Sequence, residues 1–117
     1  MPLPARRWRV AFKMLPMTPS SEPAARPALN IEHRAALQRF EGSVDGHLCV
    51  ADYRLEGGVM HMTHTGVHAS LQGRGIAAAL VAAALAHARS NALKIDPQCS
   101  YVRAYMQRHP DTLALLA

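Results

Sequence analysis

Aromatic residues are scarce in this chain: one tryptophan, three tyrosines and two phenylalanines make up 5% of 117 residues. The 50% apolar fraction must therefore come from small aliphatic side chains, alanine above all, which excludes a core propped open by large rings and favours close packing of compact elements. Cysteine is rarer still. Cys49 and Cys99 are too few for a disulfide framework, and the early arginines are not followed by the apolar run of about 7–15 residues that a secretory signal needs. A reducing, cytoplasmic setting follows. No stretch approaches the ~20 uncharged apolar residues of a membrane helix. The longest, Ile76 to Ala88, has 13 residues and contains His87, so a soluble protein without membrane contact is expected.

Acidic residues are also short, 8 against 13 lysines and arginines, for a formal charge of +5. Such a surplus invites a nucleic-acid reading, but its location argues against one. Arg6, Arg7, Arg9, Lys13 and Arg26 face only Glu22 before residue 29, so four of the five net charges sit in the first quarter and the remainder is nearly neutral. That quarter also holds Pro2, Pro4, Pro16, Pro19, Pro23 and Pro27, which leaves little room for regular structure. Residues 1–28 read as a basic, proline-rich, disordered tail. It is a passive extension, a segment upstream of a start at Met14 or Met17, a targeting peptide, or an arm for phosphates. Residues 29–117 read as one small domain.

Within that domain, Asp45-Gly46, Gly57-Gly58 and the polar stretch His68 to Gly75 divide an extended region. His47 to Leu55 alternates, with Cys49, Ala51, Tyr53 and Leu55 on one face. Val59 to Val67 alternates Met60, Met62 and His64 against Val59, His61, Thr63 and Thr65. Both are expected as inner strands of an antiparallel meander, after shorter strands at Leu29 to His33 and Leu37 to Glu41. From Ile76 to Ser90 the period changes: Ile76, Leu80, Val81, Ala84, Leu85 and Ala88 share one helical face in an alanine-rich background. A strand over Ala92 to Ile95, stopped by Asp96-Pro97, a helix capped by Ser100 and running to Arg108, and a last turn from Asp111 to Leu116 complete the expectation.

The informative stretch is Val67-His68-Ala69-Ser70-Leu71-Gln72-Gly73-Arg74-Gly75-Ile76-Ala77, a glycine-bearing loop between a strand end and the start of the best helix. Unpaired amides and the helix dipole make such a junction an anion site. An ordinary strand-to-helix connection would carry the same glycines. A dinucleotide fingerprint is one further reading, because Gly73-Arg74-Gly75-Ile76-Ala77-Ala78 fits G-x-G-x-x-G/A and Asp96 lies about twenty residues on. Its context is wrong. Five residues part Val67 from Gly73, the preceding strands form hairpins, and the 39 residues after Ala78 are too few for a doubly wound sheet.

The same residues resemble motif A of the GCN5-related N-acetyltransferases, in which an apolar strand end leads through x-x-x-x-[Q/R]-x-x-G-x-[G/A] into a helix. Val67, Gln72, Gly75 and Ala77 hold the marked places, with Ile76 and Leu80 as the aliphatics. The order of elements from Leu29 to Pro110 is similar to the family's central unit, and Cys99 to Val102 resembles a very small branch of it. The resemblance implies an α/β fold with a mostly antiparallel central sheet, a helix launched from the glycine loop, then a strand and a helix. It implies binding of acetyl-CoA, the pyrophosphate on main-chain amides from Gly73 to Ala77 with Ile76 among them, Arg74 adding charge, Gln72 bracing the loop, and the pantetheine arm along the strand end at Val67. Transfer to an amine acceptor is the implied reaction. A CoA-binding or acetyl-CoA-sensing module without catalysis is the alternative.

The chain departs from that pattern in three places. Arg34 to Leu37 leaves no room for the two helices that help form the acceptor site, so an open acceptor side is expected. Ala69 stands where a proline is common. The position of the tyrosine that can protonate the departing thiolate aligns with Met106, with Tyr105 one residue away.

Among catalytic candidates, His64 lies three residues before Val67 on the expected Met60 and Met62 face, and an imidazole beside the thioester can accept the amine's proton. It can equally be a histidine satisfied within the sheet. Cys99 precedes the expected cap Ser100, where dipole and amides favour thiolate; it can accept an acetyl group or pair with CoA as a disulfide, or be an inert core thiol. Cys49 reads as core. His61, His64 and His68 are not expected to share a face, and no metal site is expected.

Overall fold

The computed structural model describes residues 29–117; the segment 1–28, with the tail, targeting and phosphate-arm readings attached to it, lies outside the described residues. Five strands form one sheet in the order β1 (Glu32–Arg34), β2 (Arg39–Val44), β3 (His47–Glu56), β4 (Val59–Gly66) and β5 (Lys94–Pro97). The first four make an antiparallel meander, and β5 adds parallel to β4. Helix α1 (Ile76–Ser90) is the crossover between β4 and β5, and helix α2 (Ser100–Arg108) follows β5 before a 3₁₀ segment, Pro110–Leu115. A single parallel pair in a meander excludes the doubly wound dinucleotide fold.

α1 forms where the apolar period and alanine propensity coincide. Its buried residues are Ile76, Leu80, Val81, Ala84, Leu85 and Ala88, the six expected. With Ala84 and Ala88 fully buried, the helix comes close to the sheet, above Cys49, Ala51, Met60 and Met62, all completely buried. Val102 and Met106 of α2 join the same core. The opposite sheet face is polar, and its ion pairs, such as Arg39 with Asp52 at 3.1 Å, are partly exposed and add little stability.

Three boundaries differ from expectation for local reasons. The two early strands are displaced toward the C-terminus because Gln38 takes a left-handed φ of 54° and closes a 3₁₀ turn, Ala35–Leu37, between them. The Gln38 carbonyl accepts from the Tyr53 amide at 3.0 Å and its side-chain oxygen accepts from the Leu55 amide at 2.7 Å, which ties the turn to β3. At β5, Ala92 leaves α1 with φ 56°, so the strand starts at Lys94. It runs through Asp96 to end on Pro97, as an edge strand tolerates a final residue without an N–H.

The third difference is a β-bulge. Asp52 pairs with His64 but Tyr53 pairs with Met62, leaving Thr63 as an extra residue on β4. The side-chain phase reverses there. Met60 and Met62 point into the core, yet above the bulge Thr65 takes that side, opposite Ala51, and His64 turns to the outer face. Its Nε2 lies 3.1 Å from where a Cβ on Gly66 would stand, so the ring folds over a glycine. His64 therefore does not share the Met60 and Met62 face, and it lies on the same outer face as His61.

A ring cluster pins β1 to this frame. His33 stacks on Phe40 at 4.1 Å, meets His87 of α1 edge-on at 4.4 Å, and places Nε2 2.6 Å from the Tyr53 hydroxyl. Burial, then the nearby His87, hold the His33 imidazole below its ordinary 6.5. The folded chain thus binds this proton less tightly than the unfolded chain, so the linked stability is full above pH 6.5 and falls as the pH drops from there toward the lower folded value. Urea midpoints should decline between pH 7.5 and 5.5 in the wild type and decline less in His33→Gln. Equal slopes for the two proteins would refute this linkage.

Candidate active site

β4 outruns its neighbour. The last β4–β5 pair is Met62 with Pro97, after which the chain leaves β5 and the Cys99 amide donates to the Met62 carbonyl at 2.9 Å. From His64 to Gly66, β4 is paired only with β3 and has no strand on the β5 side. A cleft of about 500 Å³ fills this gap. Thr65 and Val67 line it from the strand side, Leu71 to Gly73 and Gly75 to Ala77 from the loop and helix start, and Tyr101 from α2.

The loop enters the cleft in an ordered way. His68 caps a 3₁₀ turn, Ala69–Leu71, its Nδ1 accepting from the Ser70 amide at 3.1 Å, and this turn buries Leu71. Gly73 and Gly75 then take φ of 85° and 81°, a left-handed backbone that glycine adopts without strain. No heavy atom lies within 4 Å of where either Cβ would be, so the main chain is open to a bulky neighbour. The Ala79 amide makes the first intrahelical bond of α1, to the Gly75 carbonyl at 3.0 Å. The amides before it have no side-chain cap, and the first turn holds no acidic residue. A helix end left this way concentrates positive potential on the cleft.

Cys99 occupies the cap position of α2, one residue earlier than the Ser100 cap expected. Its thiol stands 3.2 Å from the Thr65 hydroxyl. Burial opposes the thiolate, but the Thr65 hydroxyl and the main-chain N–H groups of Val102, Tyr101 and Thr65 together outweigh it and hold the thiol below its ordinary value. The thiol makes no cap hydrogen bond of strict geometry, so the amides act on it through their field.

Residues 39–115 match the family model described as GCN5-related N-acetyl-transferase. The chain belongs to this family. A GCN5-like protein from Staphylococcus aureus, solved by NMR in solution and described as a candidate N-acetyltransferase, superposes with a TM-score of 0.63 at 27% identity, over 76% of this chain and 88% of that one. The α/β fold that the resemblance implies is thus borne out by this structural match.

Within this GCN5-related domain, Val67, Gln72, Gly73, Gly75, Ile76 and Ala77 all reach the cleft wall. Gln72 braces the loop only through a long contact, its amide 3.5 Å from the Val67 carbonyl. Arg74 is not on the cleft wall; its guanidinium turns to Asp45 at 3.2 Å. His64 is on the outer face, and Cys99 is not on the cleft wall but touches Thr65, which is. Met106 is buried, and Tyr105 stacks on His109 at 4.0 Å. The tyrosine that does reach the cleft is Tyr101, one helical turn before Tyr105. Sequence reasoning passed over it and Thr65. Tyr101 could have been found from its place in the first turn of a helix whose start borders the glycine loop.

Also on the outer face, His61 Nδ1 lies 2.7 Å from Asp96 Oδ2, to which Gln98 donates at 2.8 Å. These two hydrogen bonds, His61 first, hold the Asp96 carboxyl below its ordinary 3.8. Among the described residues no group of three or more histidine, cysteine or acidic side chains is gathered to hold a metal, and no helix is long and apolar enough to cross a membrane.

Proposed function

We propose that this domain binds acetyl-CoA in the cleft and transfers its acetyl group to an amine. The observation that carries the reading is the start of α1: uncapped amides, an acid-free first turn and two unobstructed glycines, all opening on one cleft. A pyrophosphate needs converging N–H donors and positive potential, and the backbone from Gly73 to Ala77 supplies both. The edge of β4 at Thr65 to Val67, which no strand covers, offers main-chain partners to the pantetheine amides, as an added strand would, once they displace the weak contacts from Cys99 and Gln72. Arg74 can add a charge once it leaves Asp45.

Acetyl-CoA supplies an activated acyl group. The protein's own contribution is position and proton handling. An alkylammonium acceptor, with a pKa of ~10.4 for a lysine-like amine, must lose a proton before its nitrogen can attack. His64, on the outer face over Gly66, is the proposed acceptor of that proton. Cys99, at the point where β4 and β5 part, is the proposed thiolate beside the thioester, able to take the acetyl group by exchange and release CoA as thiol. Tyr101 offers a hydroxyl in the cleft for the departing sulfur.

The test is calorimetry with acetyl-CoA, CoA and NAD, followed by an acetyl-transfer screen over small amines and basic peptides with wild type, His64→Ala and Cys99→Ala. Acetyl-CoA and CoA should bind below millimolar while NAD does not, and each variant should lose ~10²-fold or more in turnover. Binding of NAD but neither CoA form would overturn the reading. Binding without any transfer would leave a CoA-binding or sensing module, and turnover indifferent to both variants would remove the two catalytic assignments.

A further inference from the structure

The turn between β2 and β3 lies against the cofactor loop. Asp45 and Gly46 have φ of 51° and 79°, both left-handed, as a tight two-residue hairpin of the type I′ kind requires. His47, the next residue, stacks on His68 of the loop with ring centroids 3.8 Å apart and planes 16° off parallel. The stack keeps the turn against the loop, and from there Asp45 Oδ2 meets Arg74 Nη1 at 3.2 Å. This is the one contact between the two groups, and both side chains are more than half exposed, at 63% and 53%. The rest of the guanidinium is free to meet a second anion.

We infer that Asp45 is a positioning residue for Arg74, an internal counter-anion that the cofactor's phosphates displace on binding. The inference rests on the reading that the cleft takes CoA. Its logic is charge. Arg74 sits between the two glycines of the anion site, and while Asp45 neutralises it, that site lacks the guanidinium's full charge. An incoming phosphate ester must either draw Arg74 away from Asp45 or settle with a carboxylate close by. Either course costs affinity, and removing the carboxylate recovers it.

D45N tests this with little structural disturbance, because asparagine accepts left-handed φ as readily as aspartate does and is at home in this turn. At low salt, D45N should bind CoA about three- to fivefold more tightly than wild type, the scale of a half-exposed ion pair. Pantetheine, which has no phosphate, should bind both proteins equally in an NMR titration. The gain should shrink at high salt and vanish in an Arg74→Ala background. Unaltered or weaker CoA binding by D45N would overturn the inference, as would equal tightening of pantetheine or a gain that survives without Arg74. A wild type that binds no CoA points to failure of the functional reading itself, since a fault in the Asp45 assignment alone leaves wild-type binding intact.

Discussion

Ala77→Asp is expected to abolish measurable acetyl-CoA binding while leaving the melting temperature within a degree or two of wild type. Ala77 is the second residue of α1 and lines the cleft. A carboxylate here meets the helix dipole favourably, by about 0.3–1 kcal/mol, which offsets alanine's advantage in propensity of roughly 0.5 kcal/mol. The fold therefore gains and loses by similar amounts. Toward a bound pyrophosphate the sign is one-sided: two unit charges about 5 Å apart at an effective dielectric of ~20 repel by roughly 3 kcal/mol. Even with screening in a half-open cleft, the loss should reach about 30-fold or more. Calorimetry and a thermal melt on the same sample separate the two effects. Wild-type affinity in this variant would move the anion away from the start of α1.

Leu80→Ala should have the largest effect on stability, ~2–5 kcal/mol, because it combines lost transfer energy with a cavity that cannot collapse. Leu80 is completely buried one turn beyond the glycine loop, between a close-lying helix and the sheet. Leu80 belongs to one buried cluster with Ala51, Met60, Met62 and Ala84, all at zero exposure, so little can move in to refill the space. Against a total of ~5–15 kcal/mol for a domain, this is a large fraction. A urea midpoint that falls sharply with an unchanged slope is the expected signature. A loss below about 1 kcal/mol would mean that α1 packs more loosely than its alanines imply.

The parts legible in the sequence are those where one local pattern decides the outcome. The buried stripe of α1 follows from 3.6-residue spacing alone, and all six positions agree. β3 and β4 follow from alternation and their flanking turns, and six of the seven loop residues tied to the cofactor line the cleft. What escaped depends on contacts between distant residues. Period-2 alternation cannot show that Thr63 is unpaired, because the bulge is set by how β4 meets β3, and everything above it, His64 included, changes face. The early strands moved because Gln38 found amides on β3, 15 and 17 residues away. Arg74 turned from the cleft because Asp45 lies 29 residues upstream on a turn that folding brings alongside. Tyr101 lines the cleft through the path of α2, which depends on where β5 stops.

The alanine face of α1 also governs how this sequence can drift. Ala84 and Ala88 sit at zero exposure against the sheet, so a larger side chain must push the helix outward and glycine would weaken it. Because the helix carries the proposed anion site at its first turn, any outward shift there also displaces the amides of residues 75–77. Substitutions can therefore accumulate on the solvent side, at Ala82, Ala86, Arg89 and Ser90, while the inner alanines stay constrained from both directions of size. In an evolving lineage the two inner alanines, Ala84 and Ala88, would be among the slowest positions of this helix to change.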